Sequence, residues 1–230
     1  MALVFFDVET VSQYKNLSDL PVADRKYWDF YYETFKERVT NKSKLPNVED
    51  ETYKEEVYRQ TASLFPEFGK VCCISVAFVT KDGKTKIDSF YGENEYEILD
   101  KARNVFNKVN GLSFNLCGQN IKNFDVPFLG KRYLINGLNP PDSFPKHNTK
   151  PWELALIDTK EIWGFGNLRG LSSLDLICHK MEIKSPKTGD VKGDNVYESY
   201  WVGKLTEIKN YCEKDVQSLV DIITKLNNLK

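Results

Sequence analysis

An unbroken apolar run, Ala2 to Phe6, opens the chain and meets Asp7. Branched and aromatic residues at that density predict a buried strand over Ala2 to Asp7. Strand side chains alternate, so Asp7 and Glu9 share one face and Phe6 and Val8 take the other. Val71 to Thr80 and Lys84 to Tyr91 predict a hairpin turning at Lys81, Asp82 and Gly83. Glu95 to Val109 reads as a helix ending near Gly111. A short strand over Phe114 to Gly118 and a helix over Val126 to Asn136 follow. Beyond a proline-rich loop, Asn139 to Pro151, Leu154 to Asp158 reads as a fifth strand. A helix near Ser172 to Lys180, started by Ser172 or Ser173, precedes the loop 184–195. Apolar residues at 208, 212, 216, 219, 223 and 226 carry helical spacing to the C-terminus. Strand, hairpin, helix, strand, helix, strand, helix predicts an α/β mixed sheet of five strands with helices on both faces. The charged, aromatic stretch 11–68 interrupts that pattern and reads as a helical insertion within a single domain, 1–230.

Three stretches place acidic residues where local structure can aim them. Asp7 and Glu9, side by side on one strand face, repel each other unless something neutralises them. A divalent cation does so, and hard oxygen ligands suit Mg²⁺ or Mn²⁺. A helix cap or an exposed strand end is the competing explanation for Asp7 and Glu9. Tyr211 and Asp215 are four apart, hence on one helix face one turn apart. Alone, that pair is weak evidence, better explained by a partly buried tyrosine with a locally satisfied hydroxyl. Asp125, framed by Phe124, Val126, Pro127 and Phe128, falls near a helix start, because Pro127 suits a first turn. The macrodipole favours its charge there, so a plain capping role also stands.

Together these stretches, Asp7-Val-Glu9, Asn120-x-x-x-Phe124-Asp125 and Tyr211-x-x-x-Asp215, resemble the three motifs of the DEDD superfamily of 3′–5′ exonucleases. The last motif is similar to the tyrosine subclass; the histidine subclass has histidine where Asn210 stands here. The resemblance spans nearly the whole chain. It is closest to stand-alone enzymes related to the proofreading domain of family-B DNA polymerases, and EFGKVCCISVAF, LALIDTKEIWGFG and SPKTGDVKGDNVYESYW support it. It implies a ribonuclease H-like fold and two divalent cations, Mg²⁺ or Mn²⁺. Asp7, Glu9 and Asp215 would hold one, and Asp7 and Asp125 the other. It further implies hydrolysis from the 3′ end of single-stranded nucleic acid, DNA favoured, releasing nucleoside 5′-monophosphates. Tyr211 would orient the attacking water, and Asn120 and Phe124 would seat the terminal nucleotide. Thr10 and Lys187 are expected as further substrate contacts. A silent nucleic-acid-binding module and an endonuclease of the same fold are the alternatives.

A net charge of −1 argues against a generally basic nucleic-acid binder, though less against an enzyme gripping a few terminal nucleotides. Local basic groups remain: Lys122, Lys131 and Arg132 after the second motif, and Lys184, Lys187 and Lys192 in the loop. No apolar run approaches the ~20 residues of a membrane helix. The first strand starts at residue 2, so no signal peptide is expected. Five cysteines without CxxC spacing predict buried free thiols in a reducing, cytoplasmic setting. Tyr27, Trp28, Phe30, Tyr31, Tyr32 and Phe35 in the insertion either pack a helical pair onto the sheet or stack bases, with packing the stronger expectation. Asp158 is expected to cap a helix rather than bind metal.

Overall fold

The computed structural model describes residues 2–40, 51–110, 114–146, 148–150, 153–167, 172–187 and 189–228. Gly111, His147, Pro151 and residues 41–50 of the insertion lie outside them, as does the side chain of Phe35. The strands are β1 (Ala2–Ser12), β2 (Gly69–Val79), β3 (Thr85–Tyr91), β4 (Phe114–Gly118) and β5 (Leu156–Asp158). They form one mixed sheet in the order β3-β2-β1-β4-β5. β1 runs antiparallel to β2 and parallel to β4, and β4 runs parallel to β5. This is a ribonuclease H-like α/β fold.

Apolar alternation decides which helix covers which face. Val4, Phe6 and Val8 of β1 enter the main core, as do Ile74 and Val76 of β2. There they meet Leu99 and Phe106 of α3 (Glu95–Asn110) and Phe128 and Leu129 of α4 (Asp125–Ile135). Phe6 and Phe106 pack edge to face with centroids 5.1 Å apart. Phe5, Ala77 and Cys117 face the other way, onto Val216, Leu219 and Val220 of α8 (Leu205–Asn227). The amphipathic spacing read from the sequence thus becomes one buried stripe of α8.

β1 is longer than its apolar run predicts. It continues through Ser12, with a bulge between Glu9 and Thr10, because Gly69 to Cys73 of β2 supply partners for 9–12. The insertion therefore starts after Ser12, with α1 (Val22–Thr40) and α2 (Glu51–Thr61). It builds its own small core: Trp28 and Tyr32 are buried with Tyr53, Tyr58 and Phe68. Trp28 packs edge to face on both Tyr58 and Phe68. Tyr27 and Phe30, on the opposite side of α1, stay exposed.

Two short helices escape the periodicity, α5 (Thr159–Gly164) and α7 (Val196–Trp201). Six residues hold too few turns to show a 3.6-residue repeat. Between them α6 (Leu174–Lys180) starts where expected, with the Ser173 hydroxyl accepting from the Leu176 N–H.

Candidate active site

The acidic residues come together at one end of the sheet. Asp7 and Glu9 lie opposite Ser75 and Cys73 of β2 in register, and both precede the bulge, so alternation keeps them on one face. That face is turned to α8: the Cys212 thiol lies 3.4 Å from the Asp7 carbonyl oxygen and 3.5 Å from Asp7 Oδ2. One turn further along α8, Asp215 accepts a hydrogen bond from the Tyr211 hydroxyl. Asp125, the first residue of α4, accepts one from the Val8 backbone N–H. Glu9, Asp125 and Asp215 are buried, and Asp7 is partly buried.

Their electrostatics follow from that crowding. Burial, then Asp215 and Asp125, lifts the Asp7 carboxyl well above its ordinary range. Burial, then Asp7 and Asp215, does the same to Glu9. Burial raises Asp125 to about 7, with Asp158 adding to it. It raises Asp215 to about 6, against the lowering pull of the Tyr211 hydrogen bond and Lys187. Tyr211 is pushed up by burial and by Asp215, Glu9 and Asp7, so it stays a neutral phenol at physiological pH.

Buried, mutually repelling carboxylates of this kind fit a cation. Ligand atoms of Asp7, Glu9 and Cys212 all lie within 4.8 Å of one another. Burial drives the Cys212 thiol well above its usual range, so it remains protonated, leaving carboxylate oxygens as the donor set. Hard oxygen donors suit Mg²⁺ or Mn²⁺ rather than a soft thiophilic ion.

The remaining expected residues divide. Asn120, in the left-handed region at φ 59°, and Phe124 lie on the turn leading into Asp125. Lys187 sits close enough to Asp215 to act on its charge. The Thr10 hydroxyl donates to the Ser63 carbonyl at 2.8 Å, tying the end of the first motif to the insertion. The basic group after the second motif is occupied elsewhere. Lys122 pairs with Glu161 and Lys131 with Glu67. Arg132 is buried in a forked pair with Glu95 and also donates to the Pro66 carbonyl at 2.8 Å. As expected, all five cysteines are free and buried.

Three features went unread in the sequence. Cys212 gave no sign of its place beside Asp7. Gly193 lies over the phenol: a Cβ there would be 3.5 Å from the Tyr211 oxygen. Lys160 reaches the side chain of Asn120. Only spatial proximity reveals these, since each pair joins distant segments.

A ribonuclease H-like sheet thus gathers carboxylates from its first strand, the start of α4 and its last helix at one site. The chain belongs to a family described as "Predicted 3'-5' exonuclease related to the exonuclease domain of PolB", whose model matches residues 64–220. That range contains Asp125, Tyr211 and Asp215; Asp7 and Glu9 precede it. A search of curated proteins finds no match. Among solved structures, the family B DNA polymerase from the hyperthermophilic archaeon Pyrobaculum calidifontis is similar in fold, with a TM-score of 0.60 and 15% identity over 98% of this chain. This chain spans 24% of that polymerase.

Proposed function

We propose that this protein removes nucleotides one at a time from the 3′ end of single-stranded nucleic acid, DNA favoured, releasing nucleoside 5′-monophosphates. One observation carries the reading. Asp7, Glu9, Asp125 and Asp215 come from three distant segments, yet the charges of Asp215 and Asp125 act directly on both Asp7 and Glu9. Bound Mg²⁺ or Mn²⁺, held by those four carboxylates, would supply Lewis acidity and charge neutralisation at the scissile phosphate.

The protein's own groups divide the remaining work. Tyr211 donates its proton to Asp215, which leaves its oxygen lone pairs to accept an O–H of the attacking water. A neutral phenol is no base at physiological pH, so Tyr211 orients water instead of deprotonating it. Water attacks phosphorus and gives up a proton to solvent, the bond to the neighbouring 3′-oxygen breaks, and that oxygen takes a proton from solvent and leaves as the new 3′-hydroxyl end. Asn120 and Phe124 would hold the terminal nucleotide, with Thr10 and Lys187 at its flanks.

Product chemistry tests the reading. A linear strand labelled at its last phosphate should release labelled nucleoside 5′-monophosphate, while a circular strand of the same sequence stays intact. Cleavage of the circle would replace the exonuclease by an endonuclease.

A further inference from the structure

The turn between β4 and α4 delivers both Asn120 and Asp125, and the junction of β5 with α5 holds it from outside. Asp158 ends β5, is 2% exposed, and pairs in register with Gly118, the last residue of β4. Its carboxylate accepts from the Asn120 N–H at 2.8 Å and the Lys160 N–H at 2.9 Å. It also faces the Lys122 N–H at 3.4 Å. A helix cap needs only the Lys160 contact; the other two reach 36 and 38 residues back, into the turn. Thr159 adds a hydroxyl bond to the Gly118 carbonyl at 3.2 Å.

The side chain of Asn120 is set by the same junction. Lys160 Nζ donates to Asn120 Oδ1 at 3.2 Å, and Asn123 Nδ2 approaches that oxygen at 3.4 Å. An ammonium only donates, so Lys160 fixes which end of the amide is oxygen. The Asn120 NH₂ is thereby turned away from Lys160 as a donor. The backbone is fixed as well: φ is 59°, and the Asn120 carbonyl accepts from the N–H groups of Asn123 at 3.1 Å and Phe124 at 3.0 Å. Asparagine is among the few non-glycine residues that adopt that conformation at low cost.

We propose that Lys160 is a positioning residue for substrate binding: it locks the Asn120 amide so that its NH₂ takes an acceptor oxygen of the strand's sugar-phosphate backbone, while Asp158 holds the turn beneath it. This rests on the exonuclease reading above. Lys160 acts through Asn120 and needs no contact of its own with the strand.

The test is a double-mutant cycle on the full chain, using steady-state hydrolysis of a 5′-labelled DNA strand with Mg²⁺. Lys160→Met should raise KM roughly tenfold, the scale of a hydrogen bond to a charged group, and leave kcat within about twofold. Lys160→Arg, which still donates, should restore most of the loss. In an Asn120→Ala background, Lys160→Met should add nothing further, because the group it acts through is gone. A Lys160→Met variant with wild-type KM overturns the proposal, and so does a loss that adds fully to that of Asn120→Ala. Melting temperatures measured alongside separate positioning from folding: a KM change that tracks a fall in melting temperature, with no rescue by arginine, also overturns it. Failure of the wild-type protein to hydrolyse any strand is a different result, one that removes the exonuclease reading itself.

Discussion

The backbone N–H of Val8 donates to the carboxylate of Asp125. Val8 lies between Asp7 and Glu9, so this one bond joins the first strand to the start of α4, 117 residues further along the chain. Its other consequence is electrostatic. It draws a third carboxylate toward a pair that already repels, which a folded chain tolerates when cations or protons neutralise the group.

Removing one of these carboxylates should therefore separate activity from stability. Asp7→Ala, Asp125→Ala and Asp215→Ala should each lower hydrolysis by more than about a hundredfold, beyond what the loss of an outer-shell partner costs. Circular dichroism should remain that of the wild type. Without metal, the variants should melt at or above the wild-type temperature, since each loses a source of repulsion. Near wild-type turnover in any one of them would remove that residue from the site.

The raised carboxyls also set a sign for pH. Asp125 titrates near 7 and Asp215 near 6 in the folded chain, against about 3.9 for a free aspartate. The folded state thus binds more protons than the unfolded state between those limits. Stability from these groups is fully present below about pH 4 and is lost as pH rises through 6 and 7. In chelator, the melting temperature should fall between pH 5 and pH 8, and Asp125→Asn should flatten that fall. Added Mg²⁺ should raise the pH 8 value most. An Asp125→Asn curve parallel to the wild type would contradict the buried, repelling cluster.

Tyr211 orients rather than ionises, so Tyr211→Phe should slow turnover by about 10–100-fold without abolishing it. Gly193 tests the same spot sterically. A Cβ 3.5 Å from the phenol oxygen makes an ordinary contact, so Gly193→Ala should be tolerated, whereas Gly193→Leu should crowd the space beside the phenol and cut kcat/KM. Equal activity of the alanine and leucine variants would place the attacking water elsewhere.

Arg132 and Glu95 carry stability instead of catalysis. Glu95 accepts from Arg132 and from the Val71 N–H, the latter at 2.7 Å, in a buried network. Arg132→Met leaves the Glu95 charge buried without its partner, at a cost of about 3–5 kcal/mol. Chemical denaturation should show that loss, and strand binding by the folded fraction should stay unchanged.

The sheet and its covering helices were legible because apolar periodicity survives in any element of ten or so residues, as α3 and α8 illustrate. The full length of β1 was not, since Thr10 to Ser12 become strand only by pairing with β2 across a bulge. The acidic residues were legible as types at telling spacings. Their mutual influence was not, because it depends on how α4 and α8 dock against β1. Arg132 shows the opposite failure: in sequence it was one of a local cluster of basic groups, and only tertiary pairing with Glu95 reveals it as buried structure. The insertion falls between. Its aromatic density marked a packed unit, yet which rings turn inward followed from the docking of α1 on α2, with Trp28 buried and Tyr27 exposed.

A 5′-labelled single strand, as DNA and as RNA, incubated with Mg²⁺, Mn²⁺ or EDTA beside Asp7→Ala, tests the central claim most directly. A ladder shortening from the 3′ end, present with either metal and absent in EDTA and in the variant, is the expected result. Intact strands in every lane, with the strand still bound, would instead make this fold a binding module that performs no hydrolysis.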